Sequence, residues 1–357
     1  MNIVIPMAGL GTRFSEEGFL SPKPLIDVNG KTLIEHSVES LNLVGNYIFI
    51  TRDFGDYNSK LSKLLKQLKP NSIEIRIDRV TSGSVETCLA AEHLISNDEE
   101  LVITNCDQRM EWNPQEFMAR TIEYDGLVVT HKSNNPKHSY AIVNKDCVVN
   151  IKEKNVVSED ALVGIHYWKH GKDFVSSAIN LLDSFNRDGR QECYISETYN
   201  YLIGEGKKIG VYKINENQYI SLGTPFDLSV YTGKLKEFFS THKPKTIFCD
   251  IDGTILKHAH HFSALKNGQD LLDGVLDKFN EWDSQGHKII LCTARKESAR
   301  EMTEKQLQKL GICWDVLLMG LTSGERILIN DKLNTNMPDR AKAINIITNK
   351  GLGECKF

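Results

Sequence analysis

Two groups of residues in this chain have the types and spacing that phosphate chemistry needs. The first is Met7-Ala8-Gly9-Leu10-Gly11-Thr12-Arg13-Phe14, followed by Pro22-Lys23-Pro24-Leu25. Gly9 and Gly11 let successive backbone N–H groups turn inward as a nest for phosphate oxygens. Arg13 adds a planar fork of donors and Lys23, stiffened between two prolines, adds a compact charge, so together they can neutralise a developing pyrophosphate. The second group is Phe248-Cys249-Asp250-Ile251-Asp252-Gly253-Thr254. Residues two apart on an extended chain point the same way, so the Asp250 and Asp252 carboxylates face one phosphate, the arrangement of a nucleophile with an acid. Thr293 and Asp331 close two further apolar runs, 288–292 and 326–330. In a parallel sheet such strand ends meet in one crevice at the carboxyl edge.

These groups need strands that end beside them and helices that cover the strands. Apolar runs at 2–6, 47–51, 74–77, 101–105, 127–130, 246–249, 288–292 and 326–329 alternate with helix-like segments, which predicts an α/β protein. Thr32-Leu33-Ile34-Glu35 and Ser298-Ala299-Arg300-Glu301 fit the capping box, and Gly311 suits the end of the second of these helices. Leu61, Leu64, Leu65 and Leu68 recur at helical spacing, as a face packed on a sheet would. Between Phe238 and Lys245 the pattern breaks, from a polar helix to a fresh buried strand. Two domains are therefore expected, over 1–237 and 244–357, joined by a short linker.

The 357 residues are enough for two cores. Hydrophobic content of 40%, charged content of 25% and a net charge of −4 lack the basic excess of a nucleic-acid binder. No apolar run approaches the ~20 residues of a membrane span, and the first strand leads into chemistry instead of a signal cleavage site. A cytoplasmic protein with neither nucleic-acid nor membrane partners is the expectation. Cys88, Cys106, Cys147, Cys193, Cys249, Cys292, Cys313 and Cys355 are scattered without a C-x-x-C pair, which predicts free, mostly buried thiols.

The string Gly-x-Gly-Thr-Arg-Phe, then Pro-Lys-Pro-Leu and Gly30 before a capped helix, resembles the nucleotidyltransferases that make nucleotide-sugars from an NTP and a sugar phosphate. The resemblance covers about residues 1–235. It implies a Rossmann-like α/β domain with a mixed sheet of the nucleotide-diphospho-sugar transferase kind, in which Ala8, Gly9, Leu10, Gly11, Thr12 and Arg13 hold the nucleotide. Arg13 and Lys23 would act on the phosphates, and Gly83 would contact the base, with Ser84 capping the following helix. Asp107 would hold Mg²⁺ on the α-phosphate. Glu153 and Lys154 would grip the acceptor, and Gly164 would let backbone approach its sugar, although Lys152-Glu153-Lys154 also reads as a solvated charge run. Position 221 is serine where that family often carries a second metal-binding aspartate, and Asp227 lies nearby. The implied reaction is in-line attack of an acceptor phosphate oxygen on the α-phosphorus of an NTP, CTP or UTP, with pyrophosphate leaving.

The second group resembles the haloacid dehalogenase-like phosphatases, over about residues 245–350. That implies a second Rossmann-like domain, a parallel sheet without a cap, since too little chain separates Asp252 from Lys288 for one. The resemblance makes Asp250 the nucleophile that becomes an aspartyl-phosphate. Asp252 would protonate the leaving oxygen and then activate water, and Thr293 would bond the phosphoryl group. Mg²⁺ would sit among Asp250, Asp252 and Asp331. The family's phosphoryl-binding cation has no lysine in the stretch 319–326, leaving Arg326 or Lys332. His258, His260 and His261 follow the nucleophile loop, where surface histidines are commoner than metal ligands.

Together these resemblances imply a bifunctional enzyme that activates a sugar or polyol phosphate and hydrolyses a phosphate ester, supplying a building block for capsule or surface polysaccharide. The rival readings are a transferase with a scaffolding phosphatase-like domain and a non-catalytic nucleotide-binding protein. The acceptor and the oligomeric state, a homo-oligomer included, stay open.

Overall fold

The computed structural model describes residues 1–135, 137–188, 192–234, 237–238, 244–258, 269–330, 339–353 and 355. The chain divides into two compact units, Met1–Thr241 and His242–Phe357. Asp331, Lys332, His260 and His261 lie outside the described residues.

The first unit begins β1 (Asn2–Pro6), α1 (Thr12–Glu16), the hairpin β2 (Asp27–Val28) and β3 (Lys31–Thr32), and α2 (Leu33–Leu41). It continues with β4 (Asn46–Arg52), α3 (Asn58–Leu68), β5 (Ile73–Ile77), α4 (Ser84–Leu89), α5 (Glu92–Ile95), β6 (Leu101–Thr104), β7 (Gln108–Met110) and α6 (Pro114–Thr121). It ends with β8 (Gly126–Lys132), β9 (Tyr140–Asn144), β10 (Cys147–Lys152), β11 (Asp160–Trp168), α7 (Gly171–Asp188), α8 (Thr198–Gly204), β12 (Ile209–Ile214), β13 (Tyr219–Ser221) and α9 (Pro225–Tyr231). Among the described residues nine of these strands form one mixed sheet, in the order β5-β4-β1-β6-β11-β8-β12-β10-β9.

The sequence of β1 explains its place. It lies parallel between β4 and β6, and Ile3, Val4 and Ile5 are fully buried. A strand covered on both faces reads as a continuous apolar run, and each such side chain contributes about 1.5–3 kcal/mol. Val4 joins the core on one face and Ile3 and Ile5 the core on the other, as alternation requires. Leu61 and Leu65 of α3 are buried on the second face, with Leu64 and Leu68 packed at its margin. The Thr32/Glu35 capping box opens α2.

The second unit holds a parallel sheet in the order β14 (Thr246–Asp250), β15 (Lys288–Cys292) and β16 (Val316–Leu318). Two helices, α10 (Val275–Ser284) and α11 (Arg300–Lys309), precede β15 and β16. Val275, Phe279 and Trp282, at helical spacing, join Ile251, Ile289, Leu291 and Leu307 in the core.

Three local expectations are corrected. The apolar run 326–329 is not a strand: β16 takes the place beside β15, and Ile327, Leu328 and Ile329 are exposed. The connection from β16 is shorter than the dozen or so residues of a parallel crossover, and apolar composition alone supplies no pairing partner. Helix α11 starts one residue later than the Ser298–Glu301 box implies, after a 3₁₀ turn, with Ala299 at the N-cap and no side-chain cap. Gly311 does follow its end with φ 75°. Ser84 is the first residue of α4, not its cap: Gly83 holds the N-cap position, and Ser82 donates through its N–H and its hydroxyl to Glu86 Oε2 at 2.7 and 2.9 Å.

Candidate functional sites

The first site forms where β1 and β6 end side by side. Gly11 turns the loop after β1 with φ 67°, and a methyl group there would lie 3.1 Å from Lys23 Cβ, so glycine lets the loop rest on the lysine. Gly9 and Leu10 are exposed, Ala8 is buried, and Thr12 and Arg13 open α1. Lys23 sits in a 3₁₀ turn between Pro22 and Pro24, its Nζ 5.5 Å from the Phe14 ring centroid. Its Nζ donates to Asp107 Oδ2 at 2.5 Å. Burial works against the ammonium, but Asp107 and Cys106 outweigh it and hold the Lys23 pKa above its ordinary value. Lys23 is therefore a fixed cation.

Asp107 is placed by backbone as well. Strand β7, which follows it, pairs antiparallel with β13, Ser221 facing Gln108, and the Leu222 N–H donates to the Asp107 carbonyl at 2.9 Å. A methyl group built on Gly223 would meet Asp107 Oδ2 at 3.3 Å, Ser221 Oγ at 3.5 Å and Asp227 Oδ2 at 3.8 Å. Oxygens of three residues thus lie around Gly223, hard donors of the kind that Mg²⁺ takes. Asp227 also caps α9 with Thr224, accepting from the Thr224 N–H at 2.9 Å and from Ser221 Oγ at 3.0 Å.

Glu153 is no member of a solvated charge run. Its Oε2 accepts from the hydroxyls of Ser139 and, at 3.0 Å, Ser196. Burial pushes its carboxyl up to about 7, against the lowering effect of Ser139, Lys154 and Ser196. Lys154 takes φ 49° and donates through Nζ to Tyr194 Oη at 2.6 Å, with the ring 4.9 Å away. Gly164, φ 74°, lies against Asn105, where a side chain would come within 2.2 Å of Nδ2. Gly83, φ 143°, lies against backbone: a methyl group would be 2.5 Å from the Cys193 carbonyl oxygen, and the Cys193 N–H donates to the Ser82 carbonyl at 3.1 Å.

In the second unit Asp250 ends β14 in register with Cys292, the residue before Thr293, so Asp250 and Thr293 stand at adjacent strand ends. Asp250 Oδ1 accepts from Arg326 Nη2 at 2.7 Å, and its Oδ2 lies 3.5 Å from Thr254 Oγ1. Asp252 Oδ2 accepts from Thr293 Oγ1 at 3.2 Å and Arg295 Nε at 2.9 Å, and Oδ1 from Arg295 Nη2 at 2.6 Å. Burial raises the Asp252 pKa, yet Arg295, Gln269 and Thr293 outweigh it and hold the carboxyl below its usual range. Of the two carboxylates, Asp250 has the oxygens that a hard cation could share, and among the described residues no three His, Cys, Asp or Glu side chains cluster as metal ligands. His258 donates its N–H to Asn349 Oδ1 at 2.6 Å.

Sequence reasoning missed Arg295, Gln269, Ser139, Ser196 and Tyr194. The one local signal was Thr293-Ala294-Arg295, an arginine two residues beyond a strand-ending threonine.

Comparison with known proteins agrees with both halves of the sequence reading. Residues 3–159 match the MobA-like NTP transferase domain, and residues 244–321 match the polynucleotide kinase PNKP phosphatase domain. The Bifunctional protein GlmU of Methanocaldococcus jannaschii is 24% identical over 232 residues, 64% of this chain and 52% of that protein. The 2-C-methyl-D-erythritol 4-phosphate cytidylyltransferase of Thermosipho africanus is 25% identical over 208 residues, 57% of this chain and 88% of that protein. This chain spans about half the length of the GlmU relatives it matches, 52% to 53%. The solved nucleoside-diphosphate-sugar pyrophosphorylase from Vibrio cholerae RC9 superposes with a TM-score of 0.58 at 25% identity, over 66% of this chain and 99% of that one. None of the described helices is long and apolar enough to cross a membrane.

Proposed function

We propose that this chain, an NTP transferase domain joined to a haloacid dehalogenase-like phosphatase domain, transfers NMP to a sugar or polyol phosphate and hydrolyses a phosphate monoester. The observation that carries the reading is that Lys23 and Asp107, far apart in sequence, meet at 2.5 Å beside the glycine loop, while a separate pair of aspartates meets two arginines in the second unit. An ammonium locked beside a metal-binding carboxylate is what a reaction at an α-phosphorus uses.

In the transferase, Arg13 and Lys23 carry the triphosphate charge and the loop Ala8–Thr12 holds the phosphates. Gly83 keeps its loop close enough for the base, and Glu153 with Lys154 orients the acceptor, Gly164 giving room beside it. CTP is the favoured nucleotide, because the Thermosipho relative is a cytidylyltransferase. In the phosphatase, Asp250 is the nucleophile and attacks phosphorus, Asp252 gives and takes the proton, and Thr293 bonds a phosphoryl oxygen. Arg326, half exposed and paired with Asp250, is the phosphoryl-binding cation. Asp107 with Ser221 and Asp227, and Asp250 with Asp331, would hold Mg²⁺; the Asp252 oxygens, taken by Arg295, Gln269 and Thr293, are not free to join them. When bound, Mg²⁺ neutralises phosphate charge in both sites. We further propose a cytoplasmic role in supplying nucleotide-activated units for capsule or surface polysaccharide.

The test is to incubate the full chain and Mg²⁺ with CTP or UTP against glucose 1-phosphate and 2-C-methyl-D-erythritol 4-phosphate, following pyrophosphate and phosphate separately. Pyrophosphate that depends on both substrates supports the transferase, and its absence with every pair removes it. Hydrolysis of p-nitrophenyl phosphate that persists in Asp250→Asn would remove the phosphatase.

A further inference from the structure

We propose that Arg295 is a positioning residue of the phosphatase site, a fixed fork that holds the Asp252 carboxylate in the orientation its proton transfers require. The inference rests on Asp250 and Asp252 being the phosphatase pair.

A guanidinium has five N–H donors. Arg295 Nε donates to Asp252 Oδ2 at 2.9 Å, and Nη2 donates to Asp252 Oδ1 at 2.6 Å and to Gln269 Oε1 at 2.7 Å. Nη1 donates to Thr303 Oγ1 at 3.2 Å and Gln306 Oε1 at 2.9 Å. Every donor has an acceptor, and the side chain is only 5% exposed. A fork engaged along every edge cannot swing to a phosphoryl oxygen, so Arg295 is not the cation the phosphate needs. Arg326, 47% exposed, retains that freedom.

The partners of Arg295 are themselves tied together. Gln269 Nε2 donates to Asp252 Oδ1 at 3.3 Å, and Gln306 Nε2 donates to Gln269 Oε1 at 3.2 Å. The Arg295 N–H donates to Thr293 Oγ1 at 3.0 Å, whose hydroxyl donates to Asp252 Oδ2 at 3.2 Å. Asp252 therefore receives two donors on each oxygen, filling its four lone-pair sites. Proton transfer needs one of them vacated. Thr293 is the donor that the phosphoryl group would claim, so substrate itself frees Oδ2 while the Arg295 fork keeps the carboxylate from turning.

The experiment uses the full chain with Mg²⁺ and p-nitrophenyl phosphate. Arg295→Lys keeps the charge but loses the fork, and Gln306→Leu loosens the fork from behind without touching Asp252. Arg295→Lys is expected to lower kcat about 10- to 100-fold with KM within about twofold, and Gln306→Leu to lower kcat a few-fold in the same pattern. Combining Arg295→Lys with Asp252→Asn should cost no more than Asp252→Asn alone, because both act through one proton transfer. If the two losses multiply, or if kcat per folded molecule stays within about twofold of wild type in Arg295→Lys, Arg295 is a structural strut and the inference fails. Should Arg295→Lys not fold, an unchanged kcat in Gln306→Leu overturns the inference by itself. Hydrolysis that survives Asp250→Asn instead overturns the phosphatase reading beneath it, and the inference with it.

Discussion

The two candidate phosphate sites of this chain set a cation beside a carboxylate in opposite ways. In the first unit a single ammonium, Lys23, meets Asp107, and its position comes from backbone: two prolines, a 3₁₀ turn and a glycine loop resting on its Cβ. In the second unit the guanidinium of Arg295 meets Asp252, and its position comes from side chains reaching in from residues 269, 303 and 306. A compact charge on a rigid backbone can follow a phosphate that changes shape as pyrophosphate departs. A planar fork with every donor engaged can only hold its partner still, which on the proposed reading leaves Arg326 to follow the phosphoryl group.

The contrast can be broken at several points. Asp250→Asn should reduce p-nitrophenyl phosphate hydrolysis by about 10⁴-fold while pyrophosphate release continues at the wild-type rate, measured on the same preparation. A matching fall in pyrophosphate would mean that the two chemistries are not separate. Lys23→Ala should cut pyrophosphate release about 10²- to 10³-fold and leave phosphate release alone. Arg326→Gln should raise KM for p-nitrophenyl phosphate about tenfold, through loss of one charge-assisted hydrogen bond, whereas KM holds in the Arg295 variants. If Arg326→Gln spares KM, the two arginines do not divide the work.

The smallest effect concerns Glu153, whose pKa burial lifts to about 7. Protonation turns one oxygen into an O–H donor and weakens acceptance, and Oε2 already takes Ser139 and Ser196, so a donor on the acceptor is held best by the ionised carboxylate. The acceptor KM should therefore fall a few-fold as pH rises through about 7 and lose that dependence in Glu153→Gln. The same raised pKa means that the folded state binds this proton more tightly than the unfolded chain. Its contribution to stability is thus full at low pH and lost as pH rises through about 7.

What the sequence showed and what it hid follow from the range of the interactions. Strand β1 and the Thr32/Glu35 cap were legible because their causes lie within a few residues. The run 326–329 was misread because composition cannot reveal whether a neighbouring strand is free, and here β16 already flanks β15. Lys23 and Asp107 could be named singly from motif and strand end, but their contact spans 84 positions and depends on β1 and β6 lying parallel. Arg295 was overlooked for a related reason. Its acceptors come from separate segments, and the one local signal, an arginine two residues beyond a strand-ending threonine, says nothing of where they lie.

The contact of Gly83 with Cys193 has a consequence for anyone who would re-engineer this chain. The loop that would admit the base is pinned, atom against atom, to the stretch leading into Tyr194, which in turn steadies Lys154. On the proposed reading, preferences for the two co-substrates cannot be tuned one at a time there. A bulkier residue at 83 would pry the stretches apart and blur both choices at once, so selection for a new nucleotide would drag acceptor tolerance along with it.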